Sequence, residues 1–213
     1  MPQLRITEIF LSLQGEGRST GCPTVFVRLT GCPLRCGYCD TRYAFNGGEW
    51  QTLDRIMQQV ERHRTELVCV TGGEPLAQPG CMALLTALCD AGYRVSLETS
   101  GARDISGVDA RVVRVMDLKT PGSGETEKNL MSNLDCLTPD DQVKFVITDR
   151  TDYEWSRQLL QDHCLAEKCE VLFSPAQQAQ DAAQLAEWML EDRLNARFQL
   201  QLHKLLWGDQ PGR

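Results

Sequence analysis

TVFVRLTGCPLRCGYCD, residues 24–40, runs from a strand-like apolar segment straight into a loop with cysteines at 32, 36 and 39. The C-x3-C-x2-C spacing gathers three thiolates on one short loop. A four-iron, four-sulfur cluster takes four ligands, normally cysteines. Three with no adjacent fourth leave one iron open to a small molecule, so the spacing points to chemistry more than to a staple. Two other readings stay open from the residues alone. Structural zinc wants four ligands, usually as two separated pairs, and a redox pair of Cys36 and Cys39 would ignore Cys32. The chain has no second C-x2-C, and His63, His163 and His203 show no paired spacing. Cys22 is the nearby candidate for a fourth ligand, but the length of the strand separates it from the other three.

Outward from this stretch, strand-like runs recur as LVCVT (67–71), YRVSLE (93–98), RVVRVMDL (111–118), QVKFVI (142–147), EVLFS (170–174) and FQLQLH (198–203). Several are apolar enough to be buried on both faces. Helical stripes lie between some of them: Leu53, Ile56, Met57 and Val60; Met82, Leu85 and Leu88, closed by Gly92; Trp155, Leu159 and Leu160; and Leu185, Trp188 and Met189. Strand alternating with helix predicts a parallel sheet. The gaps at 98–111 and 118–142 hold no convincing amphipathic helix. The expected fold is therefore an α/β protein, a partial parallel β/α barrel with fewer helices than strands, in a single domain over residues 1–213. The unusual residues follow the strands: the cysteine loop, TGGEP (71–75), ETSG (98–101), DLKTPGSG (117–124), SPA (174–176) and LHK (202–204). In parallel α/β barrels the active site lies at the C-terminal ends of the strands, so these motifs should converge on one rim.

The 213 residues carry a net charge of −7. That balance argues against nucleic acid as a partner, which wants basic surface. No apolar run approaches the ~20 residues of a membrane span, and the first ten residues do not read as a signal peptide. The expectation is a cytoplasmic protein with neither membrane nor nucleic-acid partner. Ten cysteines in such a chain suggest metal binding or catalysis more than disulfides. Cys69, Cys81, Cys89 and Cys136 sit in apolar surroundings and should pack as small hydrophobes.

C-x3-C-x2-C followed by Gly-Gly-Glu-Pro resembles the radical S-adenosylmethionine (radical SAM) superfamily. The resemblance implies a [4Fe–4S] cluster on Cys32, Cys36 and Cys39, with S-adenosylmethionine on the open iron and its methionine amino group held by Gly72, Gly73 and Glu74. One electron from the cluster then splits the sulfonium, and the radical released abstracts hydrogen from the substrate. The likeness narrows through Leu13-Gln14-Gly15-Glu16-Gly17, Arg28, Cys39-Asp40-Thr41, TGGEP, ETSG, DLKTPGSG and QLHK. Nearly end to end, these resemble the 7-carboxy-7-deazaguanine synthase family of queuosine and deazapurine biosynthesis. That family is a lyase. It converts 6-carboxy-5,6,7,8-tetrahydropterin to 7-carboxy-7-deazaguanine by ring contraction with loss of ammonia, regenerates S-adenosylmethionine and uses magnesium. The resemblance also implies a modified barrel with fewer helices, a homodimer, and an electron donor such as flavodoxin or ferredoxin.

Carried over residue by residue, it implies substrate contacts at Leu13, Gln14, Gly15, Glu16, Arg28, Thr71, His203 and Pro211. It implies S-adenosylmethionine contacts at Tyr38, Ser100 and Lys119, and magnesium at Thr41; no side chain is singled out as catalytic. The chemistry suits a carboxylated pterin. Arg28 can grip a carboxylate bidentately, and Gln14 and Glu16 can pair with the guanidine-like ring edge. Five of these residues also have a plainer reading: a salt-bridged strand arginine at 28, a core histidine at 203, a capping threonine at 41, an apolar lid at Tyr38 and a loop charge at Lys119. Some family members carry a long insertion between the first two cysteines, and some have Ser-Pro-Lys where this chain has Asp117-Leu118-Lys119. Two other functions stay open: a glycyl-radical enzyme activase, against which LQGEG argues, and a non-catalytic iron–sulfur or zinc module.

Overall fold

A computed structural model describes residues 3–177, 179–208, 210 and 212. Nine strands form one sheet: β1 (Gln3–Leu13), β2 (Pro23–Leu29), β3 (Glu49–Thr52), β4 (Leu67–Gly72), β5 (Arg94–Thr99), β6 (Val113–Asp117), β7 (Gln142–Ile147), β8 (Glu170–Pro175) and β9 (Arg197–Phe198). Their order is β3-β1-β2-β4-β5-β6-β7-β8-β9. From β2 to β9 every pairing is parallel. The edges β3 and β9 are not paired to each other, so the barrel stays open.

The helices are α1 (Leu53–Glu61), α2 (Cys81–Asp90), α3 (Arg150–Asp162), α4 (Leu165–Lys168), α5 (Ala182–Glu191) and α6 (Leu202–Trp207). Local chemistry starts three of them. Thr52, Asp149 and Asp181 each accept a hydrogen bond from a first-turn amide. Gly92, at φ 86°, follows α2 in the left-handed conformation expected of a helix stop. The gap after β5 contains no helix, and the gap after β6 contains three short 3-10 turns. Fewer helices than strands is therefore what the described residues show.

Period-two alternation builds the site. Val25, Val27 and Leu29 of β2 face the apolar core, while Phe26 and Arg28 face a cavity. The same split separates Val70 from Thr71, Leu97 from Glu98, Met116 from Asp117, and Val143 and Phe145 from Lys144. The core face packs on Ile56 and Val60 of α1, on Leu84, Leu85 and Leu88 of α2, and on Tyr153 of α3.

Three sequence expectations change. The first strand is not TVFVRL but Gln3–Leu13, which pairs antiparallel with both β2 and β3; its apolar alternation, LRITEIFLSL, marks it. The run from 111 becomes a strand at Val113, because the Arg111 side chain is held by Asp109 and Asp90 outside the sheet. FQLQLH pairs at Arg197 and Phe198 alone. Beyond them the glutamines turn their side chains to the LQGEG loop, and the chain coils into α6.

Candidate active site at the strand ends

The strand ends enclose a cavity of ≈ 490 Å³, within the usual range for small-molecule sites. The motifs meet there. Leu13, Gln14, Gly15, Glu16, Arg28, Thr71 and His203 line it, as do Cys32, Cys36, Cys39, Thr41, Tyr38, Gly72, Gly73, Ser100 and Lys119. Pro211 lies outside the described residues. Glu74 does not line the cavity.

The cysteine loop suits a cluster. All three thiols are free and face the cavity. The Leu34 amide donates to Cys32 Sγ at 3.4 Å. Burial pushes the Cys36 thiol up to about 11 and the Cys32 thiol up as well, in the protein without metal; coordination to iron deprotonates such thiols. Among the described residues no three His, Cys, Asp or Glu side chains are gathered tightly enough for a single metal ion. Three free thiols on one loop lining one cavity are the donor type and number that a four-iron cluster with one open iron takes, so the donor set fits the cluster. Backbone packs close behind the loop. A Cβ on Gly73 would stand 2.3 Å from the Gly31 carbonyl oxygen and 2.7 Å from Cys32 Cβ, so a side chain at Gly73 would displace the first ligand. Arg35 donates to the Cys32 carbonyl at 2.8 Å and Arg42 to the Gly37 carbonyl at 2.7 Å, tying down the loop from outside.

Glu74 serves this wall from behind. Its carboxylate accepts from Thr99 Oγ1 at 3.0 Å, from the Ser100 amide at 2.7 Å and hydroxyl at 2.5 Å, and from the Leu76 amide at 2.9 Å. It thus ties the ends of β4 and β5 together.

The floor is charged. Lys144 donates to Glu16 at 2.6 Å and lies 3.5 Å from Asp117, which also pairs with Lys119 at 3.0 Å. Gln201 donates to Glu16 at 2.7 Å. Burial pushes the Glu16 carboxyl up, but the Lys144 charge and the hydrogen bonds from Lys144 and Gln201 outweigh it and hold it below the usual carboxylate range. Burial lowers the Lys144 ammonium, and Glu16, Asp117 and Glu98 outweigh that, so it stays charged well above an ordinary lysine. Lys119 is likewise raised, burial being offset first by Asp117. Asp117 Oδ1 and the Tyr38 hydroxyl are buried without a hydrogen-bond partner among the described residues. Both line the cavity, so a ligand with polar groups would satisfy them.

Arg28 donates through Nε to Glu8 at 2.7 Å. Thr71 donates to Glu98 at 2.8 Å, and Gln14 donates to the same carboxylate at 3.4 Å. The Thr41 hydroxyl donates to Asp40 at 2.8 Å, and Lys204 reaches Asp40 at 3.4 Å. The Leu202 amide bonds to the Gly15 carbonyl at 3.0 Å, and a Cβ on Gly15 would overlap the His203 ring. The C-terminal segment therefore closes over the LQGEG loop.

Glu98, Asp117 and Lys144 were not singled out as site residues by the sequence reading. A signal was present: each is a charged residue in an apolar strand, at the inward position shared by Arg28 and Thr71.

Residues 26–118 match the family model described as the Radical SAM superfamily. A 7-carboxy-7-deazaguanine synthase of Koribacter versatilis is 44% identical over 96% of this chain and 97% of its own length. One of Chlorobaculum tepidum is 44% identical over 96% of this chain and 94% of its own. Among solved structures, QueE from Escherichia coli superposes with a TM-score of 0.77 at 24% identity, over 94% of this chain and 95% of that one. Streptococcus suis SuiB, bound to precursor peptide SuiA, gives 0.60 at 16% identity, over 80% of this chain and 46% of that one. These last two are likenesses of fold.

Proposed function

Because this chain belongs to the 7-carboxy-7-deazaguanine synthase family of radical S-adenosylmethionine enzymes, we propose that it converts 6-carboxy-5,6,7,8-tetrahydropterin to 7-carboxy-7-deazaguanine in queuosine and deazapurine biosynthesis. The convergence of LQGEG, Arg28 and Thr71 on the cavity that holds the three cluster cysteines carries this reading. When bound, the cluster and S-adenosylmethionine supply the one-electron chemistry that begins ring contraction.

The chain's residues bind, orient and shield. Cys32, Cys36 and Cys39 hold the cluster. Gly72, Gly73, Tyr38, Ser100 and Lys119 form the wall for S-adenosylmethionine, with Glu74 fixing Ser100 from behind. Arg28 takes the substrate carboxylate. The Glu98 carboxylate, already held by Thr71 and Gln14, complements the N–H groups of the guanidine-like edge. Glu16 and Lys144 keep a charged, ordered floor under the ring, and Leu13, Gly15 and His203 close the side toward α6. Pro211, outside the described residues, is a further substrate contact in this reading.

Magnesium would be held at the Thr41 hydroxyl, a hard oxygen donor, with substrate and water oxygens supplying the rest of its ligands. Residues 1–213 act as a single radical SAM domain. The enzyme works in the cytoplasm as a homodimer and takes its electron from a donor such as flavodoxin or ferredoxin. No helix among the described residues is long and apolar enough to cross a membrane.

The test is anaerobic reconstitution, reduction, and addition of S-adenosylmethionine with the carboxytetrahydropterin. The expected product is 7-carboxy-7-deazaguanine. Formation of 5′-deoxyadenosine without it would refute the substrate, and a zinc-loaded protein that cleaves nothing would refute the radical reading.

A further inference from the structure

A register shift sets the surroundings of Arg28. β1 and β2 pair Ile6 with Leu29 but Glu8 with Arg28, so a bulge inserts Thr7 between the two pairs. Without it, Thr7 would stand opposite Arg28. Bulges recur beside active sites, where they re-aim a side chain. Here the extra residue turns a glutamate onto the cavity face, 2.7 Å from Arg28 Nε. The displaced Thr7 hydroxyl pairs instead with Thr30 at 2.8 Å.

Three more contacts complete the arrangement. The Tyr43 hydroxyl donates to the same Glu8 oxygen at 2.8 Å. The guanidinium lies 5.9 Å from the ring centroids of both Phe10 and Tyr43. Phe10 is itself stacked on Phe26, centroids 5.1 Å apart. Arg28 is therefore fixed along one edge and contacted by two rings. Its terminal nitrogens hydrogen-bond to no described residue, and the side chain lines the cavity. A guanidinium held through Nε alone keeps its terminal fork for a second carboxylate.

We propose that Glu8, supported by Tyr43, is the positioning residue that turns Arg28 into a carboxylate-selective clamp. The bulge at Thr7 is the backbone feature that brings Glu8 there. Glu8 touches neither cofactor nor substrate and acts through Arg28. Its carboxylate offsets the charge of a largely buried arginine, and its single contact decides which nitrogens face the ligand. The inference rests on the pterin reading above, because it takes the ligand of Arg28 to be a carboxylate.

The experiment is calorimetric binding to the cluster-loaded, unreduced protein with S-adenosylmethionine present. The two ligands are 6-carboxy-5,6,7,8-tetrahydropterin and the same pterin without its carboxylate. Wild type is expected to prefer the carboxylated ligand. Glu8→Ala should weaken that ligand by about tenfold or more, the scale of a lost charged hydrogen bond, and leave the other unchanged. Glu8→Gln, which keeps an oxygen acceptor, should recover part of the loss. Tyr43→Phe, a mild change at a half-exposed residue, should weaken the carboxylated ligand by about two- to threefold. A preference that survives Glu8→Ala, or equal loss for both ligands, overturns the inference alone. A wild type with no preference overturns the carboxylate assignment of Arg28 and the inference with it.

Discussion

The Glu74 carboxylate is fully buried and accepts hydrogen bonds from Thr99, Ser100 and Leu76. Glu74→Gln would turn an amide donor against donors already in place. It is expected to cost about 1–3 kcal/mol of stability in urea unfolding, and to weaken S-adenosylmethionine through Ser100. An unchanged midpoint would show that the carboxylate does not hold the two strands together. The cysteines divide in the same way. Cys36 lines the cavity, whereas Cys69 is wholly buried in β4 and its thiol is raised well above its ordinary value, by burial first. Cys36→Ala should lose the cluster and Cys69→Ala keep it; iron counts per chain on both variants decide this. The cluster cysteines, Gly73 and Arg28 are legible as motif residues because their chemistry is fixed by type and spacing. What Glu74 holds in the folded chain is not legible in the motif, because a motif fixes the residue type and not its hydrogen-bond partners.

The C-terminal segment is the element whose form was least legible. Leu200 and Leu202 alternate as in a strand, yet the edge offers β9 one partner, β8. The segment past Phe198 is instead held by two side-chain contacts, Gln201 on Glu16 and Lys204 on Asp40, and by one backbone bond, from the Leu202 amide to the Gly15 carbonyl. A Cβ on Gly212 would come within 3.8 Å of Glu8, so the chain returns to the Arg28 side of the cavity. A variant ending at Leu200 keeps the core strands and helices. It should fold and take up its cluster, with a thermal midpoint close to wild type, but bind the pterin far more weakly. Unfolding of that variant would make the segment part of the core. α2 is the converse case. Of the stripe Met82, Leu85 and Leu88, the two leucines are fully buried against the sheet and Met82 partly so; Leu84, outside the stripe, is fully buried as well. Leu85→Ala should cost about 2–5 kcal/mol in chemical denaturation without removing a site residue.

Across the whole molecule, the buried charges under the cavity tie stability to pH. Glu16 is depressed below the 4.5 of a free glutamate, so its contribution is present above that value and is lost as pH falls through its folded pKa. Lys144 is raised above 10.5, so its contribution is present below that value and is lost as pH rises through its folded pKa. Between the two limits the pair should contribute a plateau. Lys144→Met leaves Glu16 buried without its cation, which costs most at neutral pH. The difference in urea midpoint between wild type and this variant should therefore close as the solution is acidified; a constant difference would show that the pair is not what couples stability to pH. The sequence by itself determined the cluster loop, the alternation of strand and helix, the missing helices and the rim on which the motifs meet. Each is a local matter of residue type, spacing or period. The tertiary structure decided the antiparallel edge, the side of the wall that Glu74 serves, the charged floor of Glu16, Asp117 and Lys144, and the bulge that sets Glu8 on Arg28. These depend on register and on contacts between residues far apart in the chain, from 25 positions for Glu74 with Thr99 to 128 for Glu16 with Lys144, or on a one-residue shift between neighbouring strands. Neither leaves a periodic trace in the chain.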